Sequence, residues 1–290
     1  MGGSTTNKGA ITGILKSMRP KQWIKNVLVG AVPVLDGSLT RFEDWGRVFI
    51  GFAAFCLIAS GAYILNDVVD IERDKVHPKK KLRPIAAGVV PKLMAQVSGM
   101  SLVIFGLLVS LTQTKGFIMV CVVYAAYTFL YSNYLKHVPT VELVALSSGF
   151  VLRTAGGAVL VEAAVSSWFF VCVAGGALLM ASGKRSAELM HSPTSRPVLQ
   201  HYNESYLTTI RSAAVAAGFL GYAMWVFDGK LGGSVLAQAS IIPYISALFQ
   251  YANISARGLG GEPEDVVLED RILQACGIFW VILAGAALLV

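Results

Sequence analysis

The acidic segment 66–74 reads NDVVDIERD and holds the side chains of this sequence that are best suited to chemistry. On a helix, Asp67, Asp70 and Asp74 are spaced i, i+3 and i+7 and share one face. Three carboxylates on one face repel one another unless a cation lies among them. Mg²⁺ prefers oxygen ligands and usually joins a few carboxylates to substrate phosphates. Asn66, Asp67, Asp70 and Asp74 are therefore the predicted Mg²⁺ ligands, with Asp67 and Asp70 as the catalytic carboxylates.

The alternative interpretation is a solvated helix end at a membrane boundary, which Glu72 and Arg73 would also suit. The next stretch, 77–88, reads HPKKKLRPIAAG, and a basic run beside an acidic cluster suits a phosphate-rich ligand held between metal and cations. Lys81 and Arg83 are predicted to bind phosphates. Lys79 and Lys80 are expected only to hold this connection on the inner side of a membrane.

A second group of charges lies at 183–189, which reads GKRSAEL. Two cations beside one carboxylate suit a phosphate that is bound directly and not through a metal. Lys184 and Arg185 are predicted to be catalytic, and Glu188 to contact the substrate. Positive charge that merely anchors the inner end of a membrane span is the alternative.

Three further positions carry open alternatives. Arg153 lies within an apolar run, where an arginine is costly and is either functional or paired for structure. Lys25 is either a ligand contact or an interfacial anchor. Tyr63, one turn before Asp67, either lines the site or packs in the core. All three are candidate substrate-binding residues, as is Asn66.

The elements that position these residues must cross a membrane. Hydrophobic residues make up 55% of the chain and charged residues 14%, with mean hydropathy +0.63, whereas a soluble domain carries about 25% charged residues. Long continuous apolar runs favour helices over a β-barrel. The sequence predicts an all-α, polytopic bundle of about nine transmembrane helices around a central cavity, at 20–36, 45–66, 91–112, 116–132, 140–161, 167–183, 206–227, 236–252 and 271–290.

The distribution of Lys and Arg predicts the orientation. Most of the 24 basic residues flank one side of the predicted spans, and positively charged connections lie on the cytoplasmic side of a membrane. We therefore expect a plasma-membrane protein whose N-terminus lies in the cytoplasm. One domain over 1–290 is expected, with cytoplasmic catalytic loops at about 67–90 and 184–205. The net charge of +7 is explained by this topology and by anionic ligands, so no nucleic-acid partner is expected. A homo-oligomer is compatible with the sequence.

The segment Asn-Asp-x-x-Asp-x-x-x-Asp at 66–74 resembles the UbiA-type membrane prenyltransferase superfamily, as do Arg83-Pro84 and the stretch 19–26, RPKQWIKN. The resemblance covers almost the whole chain. It implies a nine-helix bundle, cytoplasmic catalytic loops, Mg²⁺ and a lipid-facing opening for a polyprenyl chain. Ordinary members carry a second Asp-rich motif after span six, and this sequence has 183–189 there instead.

The segments 183–189 and 261–274 resemble a branch of the superfamily that transfers phosphoribose. That likeness implies phosphoribosyl pyrophosphate as the donor and decaprenyl phosphate as the acceptor. It also implies a product that feeds cell-wall arabinan synthesis, including arabinogalactan. Two alternatives stay open at this point: a conventional prenyltransferase that acts on an aromatic acceptor, and an anion transporter.

Overall fold

The computed structural model describes residues 3–35, 42–194, 196–228 and 233–289. Residues 36 and 290, at the ends of the first and last predicted spans, lie outside the described residues. Helices dominate the described part of the chain and no strand occurs in it, which confirms the all-α prediction. Eight of these helices are long and apolar enough to cross a membrane, as expected for a multi-pass membrane protein: Asp44–Val69, Lys92–Ser110, Lys115–His137, Val141–Leu160, Ser167–His191, Glu204–Asp228, Val235–Ala256 and Arg271–Leu288.

The chain divides into two compact units. Unit 1 comprises Met1–Leu135 and Leu152–Ala163, and unit 2 comprises Lys136–Val151 and Ala164–Val290. The prediction of one domain over 1–290 stays a prediction.

In its described residues, unit 1 contains six whole α-helices and part of a seventh. A 3-10 helix, Pro20–Gly30, lies between the first two, and a short one, Lys80–Leu82, follows the fourth. The α-helices are α1 Gly3–Ser17, α2 Ala31–Leu35, α3 Phe42–Val69, α4 Ile71–Val76, α5 Lys92–Ser110, α6 Lys115–Asn133 and the end of α7, Val141–Leu160.

The first predicted span, 20–36, is not among the eight candidate helices of the described residues. It folds as the 3-10 helix Pro20–Gly30 followed by α2, which is only five residues long. Pro20 begins the first element, where its fixed φ suits the start of a helix. Asn26 is buried within the 3-10 helix, and its amide nitrogen donates to Cys56 Sγ at 3.1 Å.

The core of unit 1 forms around α3. Its buried residues include Phe55, Ile58, Phe117 and Tyr124, and the rings of Phe55 and Phe117 meet edge to face at 5.9 Å. A second buried group, with Ile64, packs α3 against the chain that leads to α5. This packing holds the last turn of α3, and therefore the acidic segment, in a defined position.

The described part of unit 2 contains the first part of α7 and six further α-helices. Its cores join α8 to α9 and α11, and join the 3-10 helix Pro197–His201 to α7. The helices are α8 Ser167–His191, α9 Glu204–Asp228, α10 Val235–Ala239, α11 Ile241–Ala256, α12 Pro263–Glu269 and α13 Arg271–Leu289.

Helix α8 is longer than predicted. We expected this helix to end at residue 183, yet α8 continues to His191. The prediction that 184–191 belongs to a loop is therefore wrong. Lys184, Arg185 and Glu188 are helical residues, and hydrogen bonding from Arg185 to Glu188, one turn apart, accompanies the extension.

Two adjacent glycines on α8 differ in what surrounds them. A Cβ added at Gly175 would lie 2.3 Å from the backbone nitrogen of Gly218 on α9, whereas a Cβ at Gly176 would meet nothing within 4 Å. Small residues let helix backbones approach closely in membrane proteins. The α8–α9 contact therefore depends on Gly175 and not on Gly176.

We expect Gly175→Ala to lower the free energy of unfolding by about 1–3 kcal/mol, because the added methyl group must push two backbones apart. Gly176→Ala is the matched control and should be neutral or slightly stabilising, since alanine favours a helix. Thermal unfolding in detergent measures both. Equal losses of stability in the two variants would contradict this account of the contact.

Candidate active site

The acidic segment bends where the sequence suggested a continuous helix. Helix α3 ends at Val69, α4 begins at Ile71, and Asp70 lies between them with φ −91° and ψ 6°. Backbone hydrogen bonds nevertheless continue through the bend, from Asp70 N to Asn66 O at 3.0 Å and from Asp74 N to Asp70 O at 2.9 Å. The bend therefore largely preserves the helical spacing of the carboxylates.

Guanidinium groups neutralise two of these carboxylates. Arg83 Nη1 lies 3.0 Å from Asp67 Oδ1 and 2.6 Å from Asp74 Oδ2, so it bridges two buried acids. Arg19 Nη2 lies 2.5 Å from the same Asp67 Oδ1. The cation that the sequence argument required is thus supplied by arginine. Arg83 joins Asp67 to Asp74, which confirms their proximity but not a metal role.

Asn66 and Asp70 form a second pair, because Asn66 Nδ2 donates to Asp70 Oδ2 at 3.2 Å. Asp70 is partly exposed and also lies 3.9 Å from Arg73, measured from Oδ1 to Nη1. Among the described residues, no three His, Cys, Asp or Glu side chains are grouped to hold a metal ion. The four predicted ligands Asn66, Asp67, Asp70 and Asp74 therefore do not form one preformed cage.

A small pocket opens beside Asp67 within unit 1. Its volume is about 240 Å³, and four cations and one carboxylate give it a net positive lining that suits an anionic ligand. Arg83 lines it as predicted, whereas the predicted Lys81 is exposed outside this lining and Lys79 takes its place. The lining residues are Lys16, Ser17, Arg19, Asp67, Lys79, Leu82, Arg83 and Pro84.

The donor chemistry of this region fits Mg²⁺ that arrives with a polyphosphate. Carboxylate and amide oxygens are ligands that Mg²⁺ accepts, and the ion commonly takes one or two carboxylates together with substrate phosphates. Asp67 is 2% exposed and lines the pocket, and cations that could receive phosphate surround it. An all-protein cage is therefore not required.

Tyr63 lies next to this site. The Arg19 guanidinium carbon is 5.1 Å from the centre of the Tyr63 ring, within the range of a cation–π contact. Tyr63 thus supports Arg19, which in turn contacts Asp67. Its predicted role in contacting substrate stays a prediction.

Arg185 on α8 is sealed inside unit 2. It is 1% exposed and makes a two-pronged contact with Glu142 of α7, from Nε to Oε1 and from Nη2 to Oε2, both at 2.7 Å. Its Nη1 donates to Glu188 Oε2 at 2.6 Å, and the same oxygen lies 3.2 Å from Arg196 Nε. This geometry favours a positioning role for Arg185 and Glu188, because the two side chains already form an ion pair with each other.

Lys184 has a different environment from its neighbour. Its side chain is partly exposed, and its Nζ lies 3.9 Å from Glu262 Oε2, too far for a hydrogen bond. Of the two predicted cations on α8, Lys184 is thus the one that solvent and an incoming phosphate can reach.

Tyr202 extends the buried network around Arg185. Its hydroxyl accepts from the Thr140 backbone N–H at 2.9 Å and donates to Glu142 Oε1 at 3.3 Å. Burial and the neighbouring Glu142 carboxylate raise the pKa of Tyr202, so the hydroxyl keeps its proton. Thr140 has φ 66°, an unusual value for a β-branched residue, and Tyr202 stabilises the turn there.

The two remaining candidates hold the 3-10 helix of unit 1. Arg153 is buried, and it donates from Nε to Asn26 Oδ1 and from Nη2 to Tyr124 OH, each at 2.6 Å. These contacts support the structural alternative for Arg153. Lys25 Nζ donates to Gln22 Oε1 near the start of the same element and is partly exposed.

Reasoning from the sequence missed Arg19, Lys16, Lys79 and Glu142. A carboxylate within an apolar span needs a partner, so Glu142 could have been paired with a basic residue such as Arg185. Arg19 opens the family-like stretch 19–26, but nothing in the sequence pairs it with Asp67, because their contact joins residues 48 positions apart.

These features define a polytopic, all-helical membrane protein with a cationic pocket beside buried carboxylates. The chain belongs to the UbiA prenyltransferase family, whose model matches residues 28–188. A solved UbiA homolog from Archaeoglobus fulgidus, bound to DMAPP and Mg²⁺, shares the fold with a TM-score of 0.72. It covers 96% of this chain and 99% of its own, at 16% identity.

Two curated relatives are similar over nearly the full chain. Decaprenyl-phosphate phosphoribosyltransferase of Mycobacterium tuberculosis is 38% identical over 285 residues, which cover 96% of this chain and 94% of the relative. The protein of the same name from Corynebacterium glutamicum is also 38% identical, over 94% of this chain and 86% of the relative.

Removing the charge of Glu142 should destabilise the protein strongly. Glu142→Gln leaves Arg185 buried without its main counter-charge, a loss of about 3–5 kcal/mol for such a pair. The matched control is Glu72→Gln, which breaks an exposed ion pair of the same 2.7 Å length with Lys75 and should change stability little. Thermal unfolding in detergent compares them, and equal shifts would refute the structural role of the buried pair.

Proposed function

We propose that this protein transfers 5-phosphoribose from phosphoribosyl pyrophosphate to decaprenyl phosphate and releases pyrophosphate. The similarity to enzymes of that activity extends along the chain and is not confined to one motif. The single structural observation that carries the proposal is the pocket of unit 1, where Lys16, Arg19, Lys79 and Arg83 surround the buried Asp67. A donor rich in phosphate meets both cations and a metal-binding carboxylate there.

The acidic segment supplies the metal ligands in this proposal. Asp67 and Asp70, with Asn66 and Asp74, would hold Mg²⁺, and the bound ion would neutralise charge on the pyrophosphate. Arg83 already lies within hydrogen-bond distance of Asp67 and Asp74. It therefore keeps the acids together and presents its remaining N–H groups to a phosphate.

The acceptor needs no strong general base. A phosphate monoester has its second pKa near 6 and is largely ionised at neutral pH. Its oxygen attacks C1 of the ribose with inversion, and the C1–oxygen bond to pyrophosphate breaks. Lys184 binds a substrate phosphate, while Arg185 and Glu188 fix the turn of α8 that carries it.

The active site is proposed to lie on the cytoplasmic side of the plasma membrane, because most Lys and Arg residues flank that side of the predicted spans. The polyprenyl chain of the acceptor then lies along the apolar surface that a bilayer covers. The product would be a precursor for the synthesis of cell-wall arabinan. The proposed location is supported by the charge distribution, and the proposed use of the product by the resemblance to the phosphoribose-transferring branch of the superfamily.

A conventional prenyltransferase is the competing candidate. It would hold a polyprenyl pyrophosphate through a second acidic motif, yet 183–189 offers one carboxylate, Glu188, which already contacts Arg185 and Arg196. That engagement favours the phosphoribosyl donor.

The direct test uses purified protein, Mg²⁺, radiolabelled phosphoribosyl pyrophosphate and decaprenyl phosphate. We expect label in the lipid phase, and Asp67→Asn should reduce it at least about a hundredfold, as loss of a key charge-stabilising group does. Asp228→Asn, at the exposed end of α9, is the control and should keep full activity. Label from a polyprenyl pyrophosphate instead would favour the competing candidate, and full turnover by Asp67→Asn would remove the metal role.

Lys184→Gln should raise the KM for a phosphate-bearing substrate about tenfold, equivalent to about 1.4 kcal/mol of lost binding, and leave thermal stability unchanged. The reason is that Lys184 is partly exposed, so exchanging its ammonium group for an amide leaves no buried charge unpaired. Lys115→Gln, an exposed lysine at the start of α6, is the control. Steady-state kinetics and thermal unfolding check the prediction, which fails if the variant loses stability with an unchanged KM.

A further inference from the structure

We propose that Arg19 exchanges partners during substrate binding. It neutralises Asp67 while no metal is bound, and it transfers to a substrate phosphate when Mg²⁺ takes its place on that carboxylate. The exchange rests on the proposed function for the identity of the phosphate. Its metal side, however, can be measured without any substrate.

The contacts on Asp67 are the first argument. Asp67 is buried, and its Oδ1 receives both Arg19 Nη2 at 2.5 Å and Arg83 Nη1 at 3.0 Å. A buried carboxylate needs a counter-charge, which the two guanidinium groups supply. A divalent cation on the same carboxylate would be repelled by both, so metal binding and at least one of these ion pairs compete.

Arg19 is the cation that can leave. Arg83 is anchored a second time, because its Nη1 also contacts Asp74 Oδ2 at 2.6 Å. Among the described residues, the carboxylate partner of Arg19 is Asp67, and its other contact is the face of the Tyr63 ring. The Arg19 side chain lines the pocket and is 29% exposed. A short movement therefore carries its guanidinium group towards a ligand in the pocket.

The backbone of Arg19 supports the same conclusion. Its φ is 54° and its ψ is 61°, the left-handed region that residues other than glycine avoid. Pro20 follows it, and a residue before proline prefers an extended conformation. Strained residues of this kind persist when surrounding contacts hold them, and they are concentrated at functional sites. Backbone hydrogen bonds from Arg19 N to Lys16 O at 3.2 Å and from Gln22 N to Arg19 O at 2.8 Å hold this conformation together with the ion pair to Asp67, and the conformation presents the side chain to both Asp67 and the pocket.

The exchange has a consequence for the order of binding. Mg²⁺ alone must displace Arg19 and leaves its guanidinium group without a new anionic partner. Mg²⁺ that arrives with pyrophosphate brings that partner along. Arg19 therefore disfavours metal without substrate and favours the pair together.

The experiment measures binding of Mn²⁺, an oxygen-preferring stand-in for Mg²⁺, to the purified full chain in detergent without substrate. Electron paramagnetic resonance quantifies the unbound ion. Arg19→Gln should lower the Kd for Mn²⁺ about tenfold, because a competing charge-assisted contact has been removed. The same variant should raise the KM for phosphoribosyl pyrophosphate, because a phosphate ligand has been lost.

Arg47→Gln is the matched control. Arg47 lies on α3, the helix that carries Asp67. Like Arg19 it contacts a carboxylate, because its Nη1 lies 3.7 Å from Asp44 Oδ1. It is about 30 Å along the helix from Asp67, beyond the range of unscreened charge effects. The Arg47→Gln variant should bind Mn²⁺ with the same Kd as the wild type.

Arg19→Gly provides a second variant in case glutamine does not tolerate the left-handed backbone, because glycine adopts this conformation without strain. It should also bind Mn²⁺ more tightly than the wild type. If Arg19 only supports the fold, its loss weakens both metal and substrate binding, so an unchanged or higher Kd for Mn²⁺ in both variants overturns the exchange. Lipid labelling by the wild type would then still support the proposed function, whereas tighter Mn²⁺ binding without any lipid labelling would overturn that function alone.

Discussion

Every buried charge in an apolar bundle needs a partner, and this requirement organises both units of the protein. Arg83 joins Asp67 to Asp74 at the end of α3, and Arg185 is held by Glu142 on α7. Without these contacts each ion would remain in a medium that stabilises charge poorly. The helices around the two networks are therefore positioned by charge pairing as well as by apolar packing.

The two networks differ in what they leave accessible. Arg185 is enclosed, and its N–H groups are directed to Glu142 and Glu188. Arg19 and Arg83 line a pocket, and the contact of Arg19 with Asp67 is the one that we propose a ligand replaces. The same type of ion pair thus builds a fixed support in unit 2 and a replaceable contact in unit 1. Burial decides the difference, because exchange requires a route to solvent or substrate.

Membrane crossing and catalysis place different demands on the chain. Close backbone contacts such as Gly175 against Gly218 need small residues in helices, and they leave room for few polar groups. The residues that we propose for the chemistry therefore lie at helix ends. The last turn of α3 carries Asp67, and the extended end of α8 carries Lys184. Neither position interrupts an apolar span at its centre.

The sequence by itself determined the helical membrane architecture, since apolar runs of this length satisfy their backbone hydrogen bonds only as helices in lipid. It also indicated Asp67, Asp74 and Arg83, because their spacing along one segment of chain is local information. Only the tertiary structure decided the end of α8, the 3-10 helix Pro20–Gly30 and the partner of each arginine. Arg19 meets Asp67, and Arg185 meets Glu142, across more than 40 residues of chain. Such pairings depend on which helices pack together, so charge alone predicts that a partner exists, and only packing decides which residue it is.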